Sequence, residues 1–133
     1  MTRAGTTTPF WWGSSITPAQ ANYVGNYKYD GGGQKGENRE RTVPVDSFQP
    51  NPWGLYQLHG NVFELTEDCW NTFNSGNPGD GSARTSGECS GYVARGGSWN
   101  RAPALLRSAI RGWIAIGVRD DDVGFRLART LRR

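Results

Sequence analysis

Glycine punctuates this chain so densely that no long regular element fits between its occurrences. Nineteen of the 133 residues are Gly, about twice the ~7 % of an average domain. Each one inside a helix or strand costs about 0.5–1 kcal/mol relative to Ala. The chain must therefore be built from short elements joined by long, irregular but ordered loops. Aromatic bulk is what can order them. Six Trp, five Tyr and five Phe offset a hydrophobic fraction of only 35 %, and disordered chains lack such residues. A length of 133 residues reads as one domain, residues 1–133, able to bury roughly two-thirds of its unfolded surface without metals or disulfides.

The residue inventory excludes several chemistries. No apolar run approaches the ~18 residues of a membrane span. The first eight residues (MTRAGTTT) lack the apolar segment of a signal peptide, so export would need another route or a longer parent chain. Localisation stays open. One His (His59) and two Cys (Cys69 and Cys89) cannot complete a Cys/His zinc site, and there is no second His for a paired-His site. A lone imidazole without a local partner reads as a satisfied structural residue rather than a base.

Charge is unevenly spread. Residues 1–94 carry six Lys/Arg and nine Asp/Glu, whereas residues 95–133 carry nine Arg and three Asp. A basic C-terminal third could suggest nucleic acid, which would require salt-sensitive binding. However, Arg95, Arg107, Arg111 and Arg126 are interleaved with Gly, Ser and apolar residues. That pattern reads as internal, hydrogen-bonding arginines that order loops. Only Arg129, Arg132 and Arg133 read as a solvated basic tail, so no nucleic-acid partner is expected.

Local signals for regular structure are brief. Thr17-Pro18 opens one short helical turn. The YDGGGQKG run, Tyr29 to Gly36, reads as a flexible loop. Thr42 to Val45 reads as extended, and Pro50 to Gly54 as a turn. Leu55, Leu58, Val62 and Leu65 recur at spacings of 3, 4 and 3, a helical stripe interrupted by Gly60. Tyr92 to Arg95 is a short strand, Gly112 to Val118 reads more as a loop than as a strand, and Val123 to Arg129 alternates as a terminal strand. The sum is an α+β fold with short strands, little helix and long structured loops.

The ordered motifs NPWGLYQLHGNVFELTEDCW, YVARGGSW, LRSAIR and VGFRLA resemble the formylglycine-generating enzyme (sulfatase-modifying factor) family over about residues 9–131. The resemblance implies that family's variant of the C-type-lectin-like fold, with this chain as its C-terminal half or a minimal version. It also implies a test of catalysis. The enzymes bind copper through two cysteines near the RxAxR motif, and those positions fall on Pro103 and Ser108 here. Neither supplies the thiolate that the chemistry requires. A divergent or truncated member of the enzyme group is the competing reading, and it would need Cys69 and Cys89 to act as a metal-binding pair of thiols.

Residues 95–128 also resemble the variable region of diversity-generating retroelement target proteins, which use this fold as a receptor. That resemblance implies no catalysis and a protein or glycan ligand, as on another cell surface. Fixed struts would include Arg95, Gly96, Gly97, Ser98, Trp99, Pro103, Leu106, Arg107, Ser108, Ala109, Arg111, Arg119, Gly124, Phe125 and Arg126. The diversified, ligand-facing positions would be Arg101, Ala102, Leu105, Ile110, Gly112, Trp113, Ile114, Ala115, Asp120, Asp121 and Asp122. Trp113 and Ile114 suit a binding anchor, since aromatic residues dominate interface hot spots. The plainer alternative packs both onto the core. Oligomeric state is open.

The resemblance further implies a calcium ion at Gln57, Gly60, Val62 and Glu64, through side chains at the first and last and carbonyls between. Calcium takes about 6–8 oxygens and favours carboxylates, so Gln57 is a weak donor. The alternative makes Glu64 a buried carboxylate satisfied by backbone N–H groups or an arginine. A second family calcium site would use Asn22 and the Tyr23 carbonyl, but its further ligands are lost in the YDGGGQKG run. No cofactor is required. Cys69 and Cys89 flank the loop Trp70 to Glu88 and read as a close pair, either bridged or free.

Overall fold

The computed structural model describes residues 2–129. Its regular structure is one four-stranded sheet and one 3-10 turn. Strand β1 (Phe63–Cys69) lies between β2 (Gly91–Arg95) and β4 (Val123–Phe125), and β3 (Gly112–Ala115) flanks β2, giving the order β3-β2-β1-β4. The β1/β2 and β2/β3 pairs are antiparallel and β1/β4 is parallel. The 3-10 turn, Pro103–Leu106, opens on a proline and buries Pro103 and Leu106.

The chain shapes these elements through close backbone approaches. A Cβ on Gly91 would lie 2.4 Å from the Ile114 carbonyl oxygen, so only glycine lets β3 run against the start of β2. Gly112-Val118 therefore begins as a paired strand rather than the expected loop, because its hydrogen-bonding partner lies across the sheet and not nearby in sequence. β4 in turn stops at Phe125, short of the expected Arg129.

The stripe of Leu55, Leu58, Val62 and Leu65 does not form a helix. Gln57, Gly60 and Asn61 adopt φ of 52°, 81° and 68°, a left-handed backbone that cannot continue a right-handed helix. Their amide groups pair with distant segments instead. Gly60 N–H donates to Gly96 O at 2.8 Å, Asn61 N–H to Asn22 O at 2.9 Å, and Trp99 N–H to Asn61 O at 2.9 Å. The Asn61 side chain adds bonds to the Val43 N–H and carbonyl and to the Asn22 amide. One Gly-Asn corner thus knots segments around residues 22, 43 and 99, and Thr42-Val45 is held to it in place of a strand.

Phe10, Ile16, Ala21, Tyr23 and Leu106 form a core without solvent contact, with Trp12 and Tyr29 packed on it. Phe10 stacks on Trp12 and meets Tyr29 and His59 edge-on, at ring centroid separations of 5.3–5.4 Å. Aromatic rings here replace the aliphatic residues the chain lacks. Thr17-Pro18 makes a single hydrogen-bonded turn, closed by Gln20 N–H on Thr17 O, rather than a helix. The Pro50-Gly54 turn is present, with Gly54 N–H on Asn51 O at 2.8 Å. The YDGGG segment is an ordered wall: Gly32 and Gly33 N–H both donate to Tyr29 O.

Candidate functional site

The expected ligand-facing positions occupy the 3-10 turn, β3 and the connection from β3 to β4. Leu105, Trp113, Asp120 and Asp121 are exposed, and Arg101, Ala102, Ile110, Ile114 and Ala115 are partly so. Trp113 exposes about half its surface and its indole N–H lies 3.3 Å from Ser90 Oγ. It stands on edge strand β3, which leads into exposed Ile116 and Val118. Between these positions, Gly97, Ser98, Pro103 and Leu106 are buried.

Three positions assigned to display behave differently. Asp122 is 2 % exposed. Its carboxylate accepts from Ser98 Oγ at 2.8 Å and meets Arg101 Nη2 at 3.4 Å, while its carbonyl accepts from Phe63 N–H. A buried carboxylate needs such partners, so Asp122 is a strut that joins the RGGSW loop to the end of the variable segment. Arg101 is tied to that strut and also lies 5.5 Å over the Phe63 ring, which leaves it little freedom to steer a ligand. Gly112 has a Cβ position only 2.9 Å from the Phe63 ring, so a side chain there would press into the core.

Of the arginines expected as struts, Arg95, Arg111 and Arg126 order loops, whereas Arg107 and Arg119 are exposed. Arg95 donates to the Ala109 and Ile110 carbonyls, and Arg111 donates to Asn71 O at 2.7 Å while lying 4.5 Å over the Trp70 ring. Arg107 is exposed and held only through Nε, on Ala104 O at 2.9 Å, so it is not the internal strut expected. Phe125, also expected in the scaffold, is 74 % exposed, because parallel β4 is an edge strand. Of the expected basic tail, Arg129 is exposed and Arg132 and Arg133 lie outside the described residues.

Glu64 is claimed by Arg126. Its two oxygens accept from Arg126 Nε at 3.1 and 3.0 Å and from Nη2 at 2.5 Å, and Nη2 also reaches Tyr56 O at 2.8 Å. Hydrogen bonding to this carboxylate raises the Arg126 pKa further. Gln57 gives its Nε2 to Pro44 O at 2.7 Å, leaving Oε1 buried without a partner among the described residues. One orphaned amide oxygen is a poor start for a calcium cage when the only carboxylate of the set is neutralised by a guanidinium. As folded, Gln57, Gly60, Val62 and Glu64 do not fit the ion.

The thiol chemistry is equally constrained. Cys69 and Cys89 form a disulfide across the loop, with Cα atoms 4.7 Å apart. Asn71 is the hub of that loop. Its amide donates to the Cys69 and Ser86 carbonyls and its oxygen accepts from Glu88 N–H. Ser108, at the expected cysteine position, spends both its N–H and its hydroxyl on Pro9 O, at 2.8 and 3.0 Å. His59 is buried between Leu106 O, 2.6 Å from Nδ1, and Trp11 N–H, 3.4 Å from Nε2. Burial pulls its pKa down to about 4, so the ring is neutral and structural.

The sulfatase-modifying factor enzyme 1-like domain family matches residues 2–131. The formylglycine-generating enzyme of Mus musculus is 35 % identical over 101 residues, which is 68 % of this chain and 24 % of that protein. A serine/threonine-protein kinase pkn1 of Chlamydia caviae is 34 % identical over 93 residues, 68 % of this chain and 15 % of that one. Among solved structures, PvdO from Pseudomonas aeruginosa superposes with a TM-score of 0.76 at 36 % identity, covering 93 % of this chain and 46 % of PvdO. Treponema denticola variable protein 1 does so with a TM-score of 0.71 at 30 % identity, covering 93 % and 41 %. The chain spans a quarter or less of these two curated relatives and under half of either solved chain. The architecture is thus the C-type-lectin-like α+β fold expected, its helical part reduced to one 3-10 turn among the described residues.

Proposed function

We propose that this chain, which belongs to the sulfatase-modifying factor enzyme 1-like domain family, is a non-catalytic ligand-binding domain whose surface over residues 95–128 varies on a fixed scaffold. The observation that carries this reading is the alternation within that segment. Gly97, Ser98, Pro103, Leu106 and Asp122 are buried, whereas Leu105, Trp113, Asp120 and Asp121 are exposed between them. Exposed positions of this kind change specificity at little stability cost, since surface substitutions shift stability by only about 0.5 kcal/mol. The likeness to a variable protein supports the same reading.

Recognition would centre on Trp113, with Leu105, Ile110, Ile114 and Ala115 giving apolar area and Asp120 and Asp121 giving charge at the rim. A protein or glycan is the ligand class. The enzyme reading requires a thiolate pair, and Pro103, Ser108 and a bridged Cys69–Cys89 offer none. Sequencing the DNA around the coding region tests diversification. A near-copy of the segment for residues 95–128 beside a reverse transcriptase is expected, and a locus with neither would remove the claim. Stoichiometric Cu(I) binding with oxidation of a peptide cysteine would instead favour the enzyme.

A further inference from the structure

We propose that a cleft beside the display face is a subsite for an acidic monosaccharide, one carboxylate carried on a hydroxyl-rich ring. This goes beyond the display reading, for the cleft shares only Ala102 with the ligand-facing set. It measures about 340 Å³ and runs between the Tyr27–Gly31 wall and the 3-10 turn with Arg107, at the lower end of the range for small-ligand sites, roughly 300–1,000 Å³.

Arg107 is the carboxylate reader. Its Nε is fixed on Ala104 O at 2.9 Å, which orients the guanidinium, and its two terminal nitrogens have no acceptor among the described residues. Arg95, Arg101, Arg111 and Arg126 all spend terminal nitrogens on the protein. A guanidinium held at one corner with its fork free is prepared for bidentate carboxylate binding.

The opposite wall supplies the ring. Tyr29 is seated edge-on against Phe10, and the backbone folds tightly over it. A Cβ on Gly31 would lie 2.3 Å from the Tyr29 ring and one on Gly33 2.4 Å from Ile16 O. The glycines therefore let the backbone pack closely on Tyr29, and Tyr27, 59 % exposed, adds a second aromatic face. Apolar faces with hydroxyl tips suit a sugar's C–H face and rim. Asp30 and Lys28 are exposed and have no partner among the described residues. Asp30 accepts from ring hydroxyls, and with Lys28 and Arg107 it leaves the cleft one net positive charge, which matches a singly charged, hydroxylated ligand over an acidic peptide.

Titrating the 15N-labelled full chain with methyl glucuronide, followed by NMR, tests this. Amides of residues 27–31 and 104–107 should move, and methyl glucoside should bind at least about tenfold more weakly, as expected for loss of a charge-assisted bidentate contact. Arg107→Gln should lose about the same factor, while Asp30→Asn should weaken the glucuronide and leave acetate unchanged. Both residues are exposed, and an unaltered amide spectrum elsewhere confirms folding. Acetate or the glucoside binding as tightly as the glucuronide, a Glu-Glu peptide binding more tightly, or no movement of these amides would overturn the proposal. Shifts confined to Trp113 and Ile114 would overturn the cleft and leave the display reading standing.

Discussion

Replacing Arg126 separates the two readings of Glu64. The guanidinium makes three contacts with the Glu64 carboxylate and one with Tyr56 O, strapping the chain just after β4 to β1 and to the corner before it. The two side chains expose 27 % and 19 % of their surface. A fully exposed pair contributes about 0–1 kcal/mol, and breaking a fully buried one costs about 3–5 kcal/mol. Partial solvent screening places this pair between, so Arg126→Met should cost about 2–3 kcal/mol. At about 4 °C per kcal/mol for a chain of this size, the melting temperature should fall by about 8–12 °C. A cycle with Glu64→Gln, measured by urea denaturation, should give a coupling energy near 2 kcal/mol. Millimolar calcium should not stabilise the wild type. A coupling below about 0.5 kcal/mol, or calcium stabilisation that disappears in Glu64→Gln, would refute the ion pair as the occupant of this carboxylate.

His59 predicts a pH dependence of defined sign. Its folded pKa of about 4 lies below the ordinary 6.5, so the unfolded chain takes up a proton first as pH falls. Stability from this residue is complete above about 6.5, falls by about 3 kcal/mol towards pH 4 and then levels off. Denaturation midpoints across that window should slope in the wild type and flatten in His59→Gln, and equal slopes would contradict the buried neutral ring. Reducing the Cys69–Cys89 bond, 20 residues apart in sequence, should cost about 3 kcal/mol in the loop-entropy account. The loop should keep its amide protection through Asn71, and complete loss of protection would show that the disulfide alone orders it. Gly97→Ala forces an alanine to φ 73°, with Cβ 2.7 Å from Leu106 Cδ1, and should cost at least about 2 kcal/mol. A neutral result by thermal melting would mean that the RGGSW corner is more pliant than its packing implies.

Motifs that name backbone corners were legible from sequence, and pairing between distant segments was not. The break at Gly60, the Pro50–Gly54 turn and the β2 strand follow from residue type and spacing, as do Arg95, Arg111 and Arg126 but not the exposed Arg107. The Leu55–Leu65 stripe misleads because its 3-4-3 spacing arises from a left-handed loop leading into β1, and the amides that exclude a helix bond to residues 22 and 96. Gly112–Ala115 reads as a loop for the same reason, since only β2 across the sheet makes it a strand. Asp122 looks like its exposed neighbours Asp120 and Asp121, and nothing local reveals that Ser98 and Arg101 enclose it. The Tyr27–Asp30 wall was hidden by the three glycines after it, which suggest flexibility but permit close packing on Tyr29. The alternation of aromatic and charged residues in Tyr27-Lys28-Tyr29-Asp30 was the available signal.

Saturation mutagenesis of residues 95–128, sorted for folded protein by surface display, separates a display face from ordinary core. Broad tolerance is expected at Leu105, Ile110, Trp113, Ile114, Ala115, Asp120 and Asp121, with Gly97, Ser98, Arg101, Leu106, Gly112 and Asp122 nearly fixed. Uniform intolerance across the segment, with Trp113 as constrained as Leu106, would contradict a display surface and mark residues 95–128 as ordinary core.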